Sequence, residues 1–248
     1  MGEPLSTKRA VVIGAGGLGG PALLGLAAAG VGRLVVVDAD AVESSNLARQ
    51  PLFGEADLGR RKAEAAAHRL RRLFPHVAVE AVDGRFDEGS AARLLEGADL
   101  LVDGSDNFET KFLASDAALR AGVPLLHGGV LRYTAQLLTV IPGETACLRC
   151  LFEAPPGRGE VPTCADAGVL GPLAGFAGAL LAAEGARLLS GERGAYAGRL
   201  LVYEARSARS RAVTVRRRAD CTACPSAPRR AAPPPAEVTS SRPPGATA

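Results

Sequence analysis

Short apolar runs alternate along the chain with longer stretches in which apolar and charged residues mix. Arg9–Ile13 is a β-branched run that reads as a buried strand. Gly14–Gly20 is a glycine turn, and Pro21–Ala29 has the composition of a helix that Gly30 and Gly32 end. Leu34–Val37 repeats the buried-strand pattern, with Asp38 at its carboxyl end. Beyond a loop over Ala39–Leu52, Glu55–Phe74 predicts a helix stopped near Pro75, and Val77–Val82 predicts a third strand. Gly89–Leu95 predicts a short helix and Asp99–Val102 a fourth strand running into Asp103. Phe108–Ala121 predicts another helix, and Val123–Leu126 a fifth strand. Strands alternating with helices in this way predict a Rossmann-like, doubly wound α/β sheet that is mostly parallel.

The rhythm changes after His127. Val130–Ile141 predicts a hairpin or antiparallel extension, and Leu200–Ala205 and Ala212–Arg216 predict closing strands. Glu153–Gly168 is a Pro/Gly-rich loop. Gly168–Ser190 predicts a glycine-interrupted helix, and Glu184 and Arg187 within it argue for a core helix over a membrane span. Residues 226–248 are Pro, Ala and Ser without apolar periodicity, so a disordered tail is expected there.

Composition narrows the class. A chain of 248 residues buries enough surface to fold without disulfides. Net charge is only +3, with basic runs at Arg206–Arg218 and Arg229–Arg230, and aromatic residues are 4%. That leaves no stacking platform and argues against nucleic acid as a partner. Five cysteines, an odd number, do not suit a closed disulfide framework. A reducing compartment, the cytoplasm, and a metal site fit them better.

Gly14-Ala15-Gly16-Gly17-Leu18-Gly19 follows a strand and opens a helix. Missing Cβ atoms in such a turn let backbone N–H groups approach a nucleotide, and a carboxylate at Asp38 can accept from ribose hydroxyls. These features point to an adenine nucleotide without separating NAD from ATP. The next segment favours a triphosphate: Arg49 and Lys62 can offset its charge, and Asn46 and Gln50 can donate hydrogen bonds. Asp106 follows the fourth strand, in the crevice where such sheets bind ligands, and a carboxylate beside a triphosphate holds Mg2+. Helix capping by Asp106 or Asn107 is the alternative use of these residues.

Cys147-Leu148-Arg149-Cys150 and Cys221-Thr222-Ala223-Cys224 are paired C-x-x-C knuckles, suited to one structural Zn2+. A redox pair or an iron–sulfur cluster are the alternatives. Cys164 is left over, either a nucleophile or a spare small residue, and His127 reads as a turn or core histidine.

Together the glycine turn, Asp38-x-Asp40, Ser45-Asn46-Leu47-x-Arg49-Gln50, Lys62, Asp106-Asn107, the knuckles and Cys164-x-x-Ala-Gly-Val-Leu-Gly-Pro172 resemble the MoeB/ThiF/HesA family. These are bacterial relatives of ubiquitin-activating enzymes. The resemblance covers residues 8–225 and implies an adenylation domain. Its nucleotide-binding half would span about 8–127, and its carrier-binding and zinc half about 128–225.

The resemblance also implies the activity: ATP-dependent adenylation of the C-terminal glycine of a small β-grasp sulfur-carrier protein ending in Gly-Gly. In that scheme Gly14, Gly16, Gly17 and Asp38 contact the nucleotide, and Asn46, Arg49, Gln50 and Lys62 hold its phosphates. Asp106, with Asn107 beside it, binds Mg2+ and is the residue most needed for adenylation. Cys147, Cys150, Cys221 and Cys224 hold Zn2+, and Cys164 matches a position that some members use covalently. Family members are homodimers. With no rhodanese-like extension after Cys224, the sulfur donor is expected to be a separate protein.

There are departures from the family pattern. The family's cross-subunit N-terminal arginine has no counterpart among Met1–Lys8. Lys111 stands for the usual arginine, Ser115 for the usual asparagine, and Ala135-Gln136 for Gly-Gln. An NAD-dependent oxidoreductase and a non-catalytic carrier-binding family member are the competing readings.

Overall fold

The computed structural model describes residues 4–157, 160 and 167–224. Cys164 and the expected tail at 226–248 lie outside the described residues. Eight strands form one sheet: β1 Arg9–Ile13, β2 Arg33–Asp38, β3 Ala78–Asp83, β4 Leu100–Asp103, β5 Leu125–Leu131, β6 Thr134–Val140, β7 Arg199–Glu204 and β8 Arg209–Thr214. Their order is β3-β2-β1-β4-β5-β6-β7-β8. Pairing is parallel from β3 through β5 and antiparallel from β5 through β8. β5 runs through the expected division at residues 127 and 128, so the two halves share one continuous sheet.

The uninterrupted apolar strands are explained by burial on both faces. Ala10 and Val12 of β1 point into one core with α1 (Gly19–Ala28), α2 (Lys62–Leu73) and α6 (Gly171–Leu189). Val11 and Ile13 point into a second core with α3 (Glu88–Leu95), α4 (Phe108–Ala121) and the cysteine knuckle, whose short helix α5 spans Leu148–Leu151. The chain leaving β1 therefore enters a helix on one face, and the chain leaving β4 enters a helix on the other. The gap between the carboxyl ends of β1 and β4 is the switch point at which such sheets open a crevice.

The helix expected over Glu55–Phe74 begins only at Lys62. A 3-10 turn covers Glu55–Asp57. The backbone from Gly59 to Lys62 is spent on the preceding loop instead: Gly59 N–H donates to Val42 O, Val42 N–H to Arg60 O, and Lys62 N–H to Asp40 O. Helical composition loses there to a long-range pairing that places Lys62 at the crevice.

The apolar helix α6 packs on α1 and on β5 and β6, with Leu173, Ala177, Leu181 and Leu189 buried. Within this core Glu184 is 2% exposed. Its carboxyl group accepts from Thr139 Oγ1 at 2.8 Å, Ala195 N–H at 2.9 Å and Tyr196 N–H at 2.8 Å, pinning the loop after α6 to β6. Glu184→Leu leaves three donors unpartnered. With roughly 1–3 kcal/mol for each stranded group and partial rescue by water, a loss of about 3 kcal/mol is expected in urea unfolding.

Candidate active site

The glycine turn sits at the switch point, held from two sides. Gly14 adopts φ +83, and its N–H donates to Val37 O at 2.8 Å. A Cβ there would stand 3.0 Å from Gly104 O, so the turn packs directly on the loop after β4. A Cβ on Gly17 would stand 2.9 Å from Arg49 O, which brings the Asn46–Gln50 loop against the other flank. Asp38 closes the crevice from β2: its carboxylate accepts from Ala15 N–H at 2.8 Å and from Asp40 N–H at 2.9 Å. Burial pushes its pKa up, against the pull of those two N–H groups and the Lys62 charge.

Asn46 organises the phosphate-side loop. Its Oδ1 accepts from Arg49 Nη2 at 3.0 Å and Gln50 Nε2 at 2.9 Å, while Arg49 Nη1 reaches Ser45 O at 3.0 Å. Gln50 is buried beside Gly16, and its Oε1 has no hydrogen-bond partner among the described residues. An orphaned buried carbonyl costs about 1–3 kcal/mol; the Gln50 atom nearest Gly16 is Nε2. Lys62 is buried at the start of α2, with Nζ 2.8 Å from Asp40 Oδ2. Its charge faces the mouth of the crevice through an exposed acid.

The loop after β4 separates the two uses expected of Asp106 and Asn107. Asn107 is the cap of α4, accepting from Thr110 N–H at 2.9 Å. Asp106 is exposed and unpartnered among the described residues. Gly104, two residues before it, packs against Gly19 at the start of α1. The glycines, Asp38, Asn46, Arg49, Gln50 and Asp106 thus converge on one crevice, with Lys62 joined to it through Asp40.

Beneath this loop lies a buried group that the sequence pattern did not expose. Asp103 is fully buried, and its carboxylate accepts from Ser105 N–H at 3.0 Å and Ser105 Oγ at 2.5 Å. His127 Nδ1 lies 2.8 Å and Lys111 Nζ 3.2 Å from the same carboxylate, and Lys111 also donates to Gly128 O at 2.6 Å. Of the two readings open to His127, turn or core, the structure gives the core one. The available signal was a lone lysine on the apolar face of α4 beside Phe112 and Ala114. Burial would raise the Asp103 carboxyl, but Lys111, His127 and Ser105 outweigh it and hold it well below the usual range.

Burial also lowers His127, helped by the Lys111 charge and opposed by the Asp103 hydrogen bond. Both folded-state pKa values lie below their ordinary ones, 6.5 for His127 and 3.8 for Asp103. The unfolded chain therefore binds more protons. Stability is full above pH 6.5, declines as His127 would protonate, and falls further as the pH drops past 3.8. His127→Gln is expected to flatten the first limb, below pH 6.5, in urea midpoints measured against pH.

The four knuckle cysteines meet beside α4. Their Sγ atoms all lie within 4.8 Å of one another, with separations of 3.8 Å for Cys147–Cys150, 3.6 Å for Cys147–Cys221 and 3.5 Å for Cys150–Cys224. A tetrahedron with Zn–S bonds of about 2.3 Å has edges of about 3.8 Å, so the four thiolates fit zinc. Burial pushes Cys147 well up. Cys221 is lowered to about 7, because N–H groups of Cys224 and Ala223 outweigh its burial. Arg149, between the first two ligands, is bidentate to Asp116 on α4, with Nε 3.0 Å from Oδ1 and Nη2 2.8 Å from Oδ2.

A sequence profile of the ThiF family matches residues 2–224. The SAMP-activating enzyme E1 of Haloferax volcanii is 46% identical over 220 residues, covering 89% of this chain and 81% of that protein. The sulfur carrier protein adenylyltransferase of Thermus thermophilus is 46% identical over 227 residues, covering 90% of this chain and 84% of its own length. Among solved structures, E. coli MccB bound to MccA-N7isoASN aligns with a TM-score of 0.79 at 22% identity, over 89% of this chain and 68% of that one. E. coli MccB with ATP aligns with a TM-score of 0.77. At that identity the likeness concerns the fold.

Proposed function

The chain belongs to the ThiF family, and we propose that it uses ATP to adenylate the C-terminal carboxylate of a small ubiquitin-like sulfur-carrier protein. The observation that carries this reading is the exposed, unpartnered carboxylate of Asp106 beside the glycine turn, left free because Asn107 takes the cap. A single carboxylate oxygen completed by phosphate oxygens and water suits Mg2+, and Asp106 would hold it. The ion would neutralise charge on the phosphates.

The chain's own residues do the positioning. The N–H groups of the glycine turn and the Asp38 carboxylate seat the nucleoside end; Gln50 is not the free phosphate donor expected of it, because its Nε2 already donates to Asn46 Oδ1. Arg49, now tied to Asn46 and Ser45, and Lys62, now tied to Asp40, are the cations in reach of the triphosphate. The nucleophile is already a carboxylate, so no general base is required. Its oxygen attacks the α-phosphorus, the bond from that phosphorus to the bridging oxygen breaks, and pyrophosphate leaves with the electron pair. Rate enhancement then comes from alignment and charge stabilisation. The acyl-adenylate is primed for a sulfur donor, a separate protein in this scheme, and the enzyme works as a homodimer in the cytoplasm.

The test is carrier-dependent ATP–pyrophosphate exchange with β-grasp proteins ending in Gly-Gly, alongside thermal shifts with Mg-ATP and with NAD. Exchange together with stabilisation by Mg-ATP is expected. Stabilisation by NAD alone, without exchange, would return the site to an oxidoreductase.

A further inference from the structure

A cavity of about 910 Å3 opens beside the tip of the β5–β6 hairpin, walled by Arg132, Tyr133, Thr134, Leu170, Glu204 and Arg206. None of these residues has a part in the adenylation chemistry above. β5 runs parallel to β4 and β1, so the tip lies at the same carboxyl edge of the sheet as the glycine turn. The inner wall is the strip leading into α6: Arg132 N–H donates to Gly168 O and Leu170 N–H to Arg132 O, both at 3.0 Å. One residue further on, a Cβ on Gly171 would stand 2.9 Å from Ala48 O and 3.3 Å from Arg49 Cα. The strip Gly168–Gly171 therefore has the cavity on one flank and the Arg49 loop on the other. A polypeptide whose terminus lies at Arg49 and Asp106 can reach the cavity by crossing this strip.

The chemistry of the walls selects what crosses. The Glu204 carboxylate is already occupied by Thr134 Oγ1 at 2.8 Å and by the Arg206 N–H at 3.3 Å. The Arg206 guanidinium lies 4.3 Å over the Tyr133 ring, and neither it nor Arg132 meets an acid among the described residues. Stacking on a ring leaves the edge of a guanidinium open to a carboxylate. Tyr133 and Leu170 are each 40% exposed, giving an apolar floor beside the two cations. Arg132 also holds φ +52 in a two-residue hairpin connection, a position where glycine or asparagine is the unstrained choice.

We propose that this cavity reads the carrier's tail: Arg132 and Arg206 take an acidic side chain lying upstream of the terminal glycines, with its methylenes against Tyr133 and Leu170. The inference rests on the adenylation reading. It adds a chemical requirement on the partner, a carboxylate before its Gly-Gly end.

The test uses fluorescein-labelled β-grasp carriers ending in Gly-Gly, with their binding followed by anisotropy in the absence of ATP. Arg206→Glu is expected to raise the carrier Kd about tenfold, the order of one lost close charge pair. Changing one acidic residue of the carrier's C-terminal segment to Lys should restore it. Arg132→Gly is expected to weaken binding while its Tm stays at or above that of the unsubstituted protein, which separates lost recognition from lost folding. A rise in Kd below about threefold, or one that no carrier variant reverses, overturns the proposal, as does failure of every carrier to bind. Exchange is run in parallel: a protein that binds carrier but never exchanges pyrophosphate overturns the adenylation reading, and the Kd comparison still decides this one.

Discussion

Asp106→Ala is expected to lower carrier-dependent ATP–pyrophosphate exchange by about 10^3-fold or more while leaving the unfolding midpoint almost where it was. Removing one preorganised group from a charge-stabilising site costs about 10^2–10^3-fold. Here the same carboxylate would also fix the metal on the triphosphate. The fold is spared because Asp106 is exposed and unpartnered among the described residues, and the first turn of α4 is capped by its neighbour. Surface changes of that kind fall within about 0.5 kcal/mol. Asn107→Ala provides the contrast. It removes the acceptor for Thr110 N–H, so about 1 kcal/mol of stability should go, with a smaller effect on exchange. Exchange at the normal rate in Asp106→Ala would remove the residue from the mechanism, whatever the fold did.

Stripping the knuckle metal should act on the other quantity. The four thiols join positions 74 residues apart, Cys147 with Cys221 and Cys150 with Cys224. Closing a loop of that length restricts the unfolded chain by about 4 kcal/mol, treating the metal as a cross-link. For a chain of this size that is about 10 °C in Tm. A chelator, or Cys221→Ser, is therefore expected to lower Tm by about that amount, and zinc added back should restore the chelated protein but not the variant. The loss should spread to α4, because Arg149 bridges the knuckle to Asp116 and lies 5.2 Å over the Phe112 ring. Burial holds the Cys147 thiol protonated, so loading the site releases protons and weakens as the pH falls. A chelated protein that melts at the original temperature would make the cluster a bystander.

Much of the crevice was legible before any coordinates, for reasons particular to each residue. A turn with Gly14, Gly16 and Gly19 after an apolar run has few other uses, and an acid at the end of the next strand lands beside it because parallel neighbours share an edge. The knuckles were legible because C-x-x-C spacing is a local property of the chain. The start of α2 was not: Lys62 begins the helix because Ala41 and Val42 claim the backbone before it. The Asp103, Lys111 and His127 cluster was legible only in part: its members come from β4, α4 and β5, and nothing local joins a strand end, a helix lysine and a turn or core histidine.

The sequence by itself determined the periodicities: which runs are buried on both faces, where turns must fall, and which residue types are available for phosphate, magnesium and zinc. These follow from side-chain volume, backbone freedom and ligand chemistry, all local quantities. Only the tertiary structure decided who meets whom. It placed β1 between β2 and β4, gave the cap to Asn107 and so left Asp106 open, paired Lys62 with Asp40, and set the α6 strip between Arg49 and the hairpin cavity. Those outcomes depend on contacts between residues far apart in the chain, where many pairings satisfy the same local pattern and packing selects one.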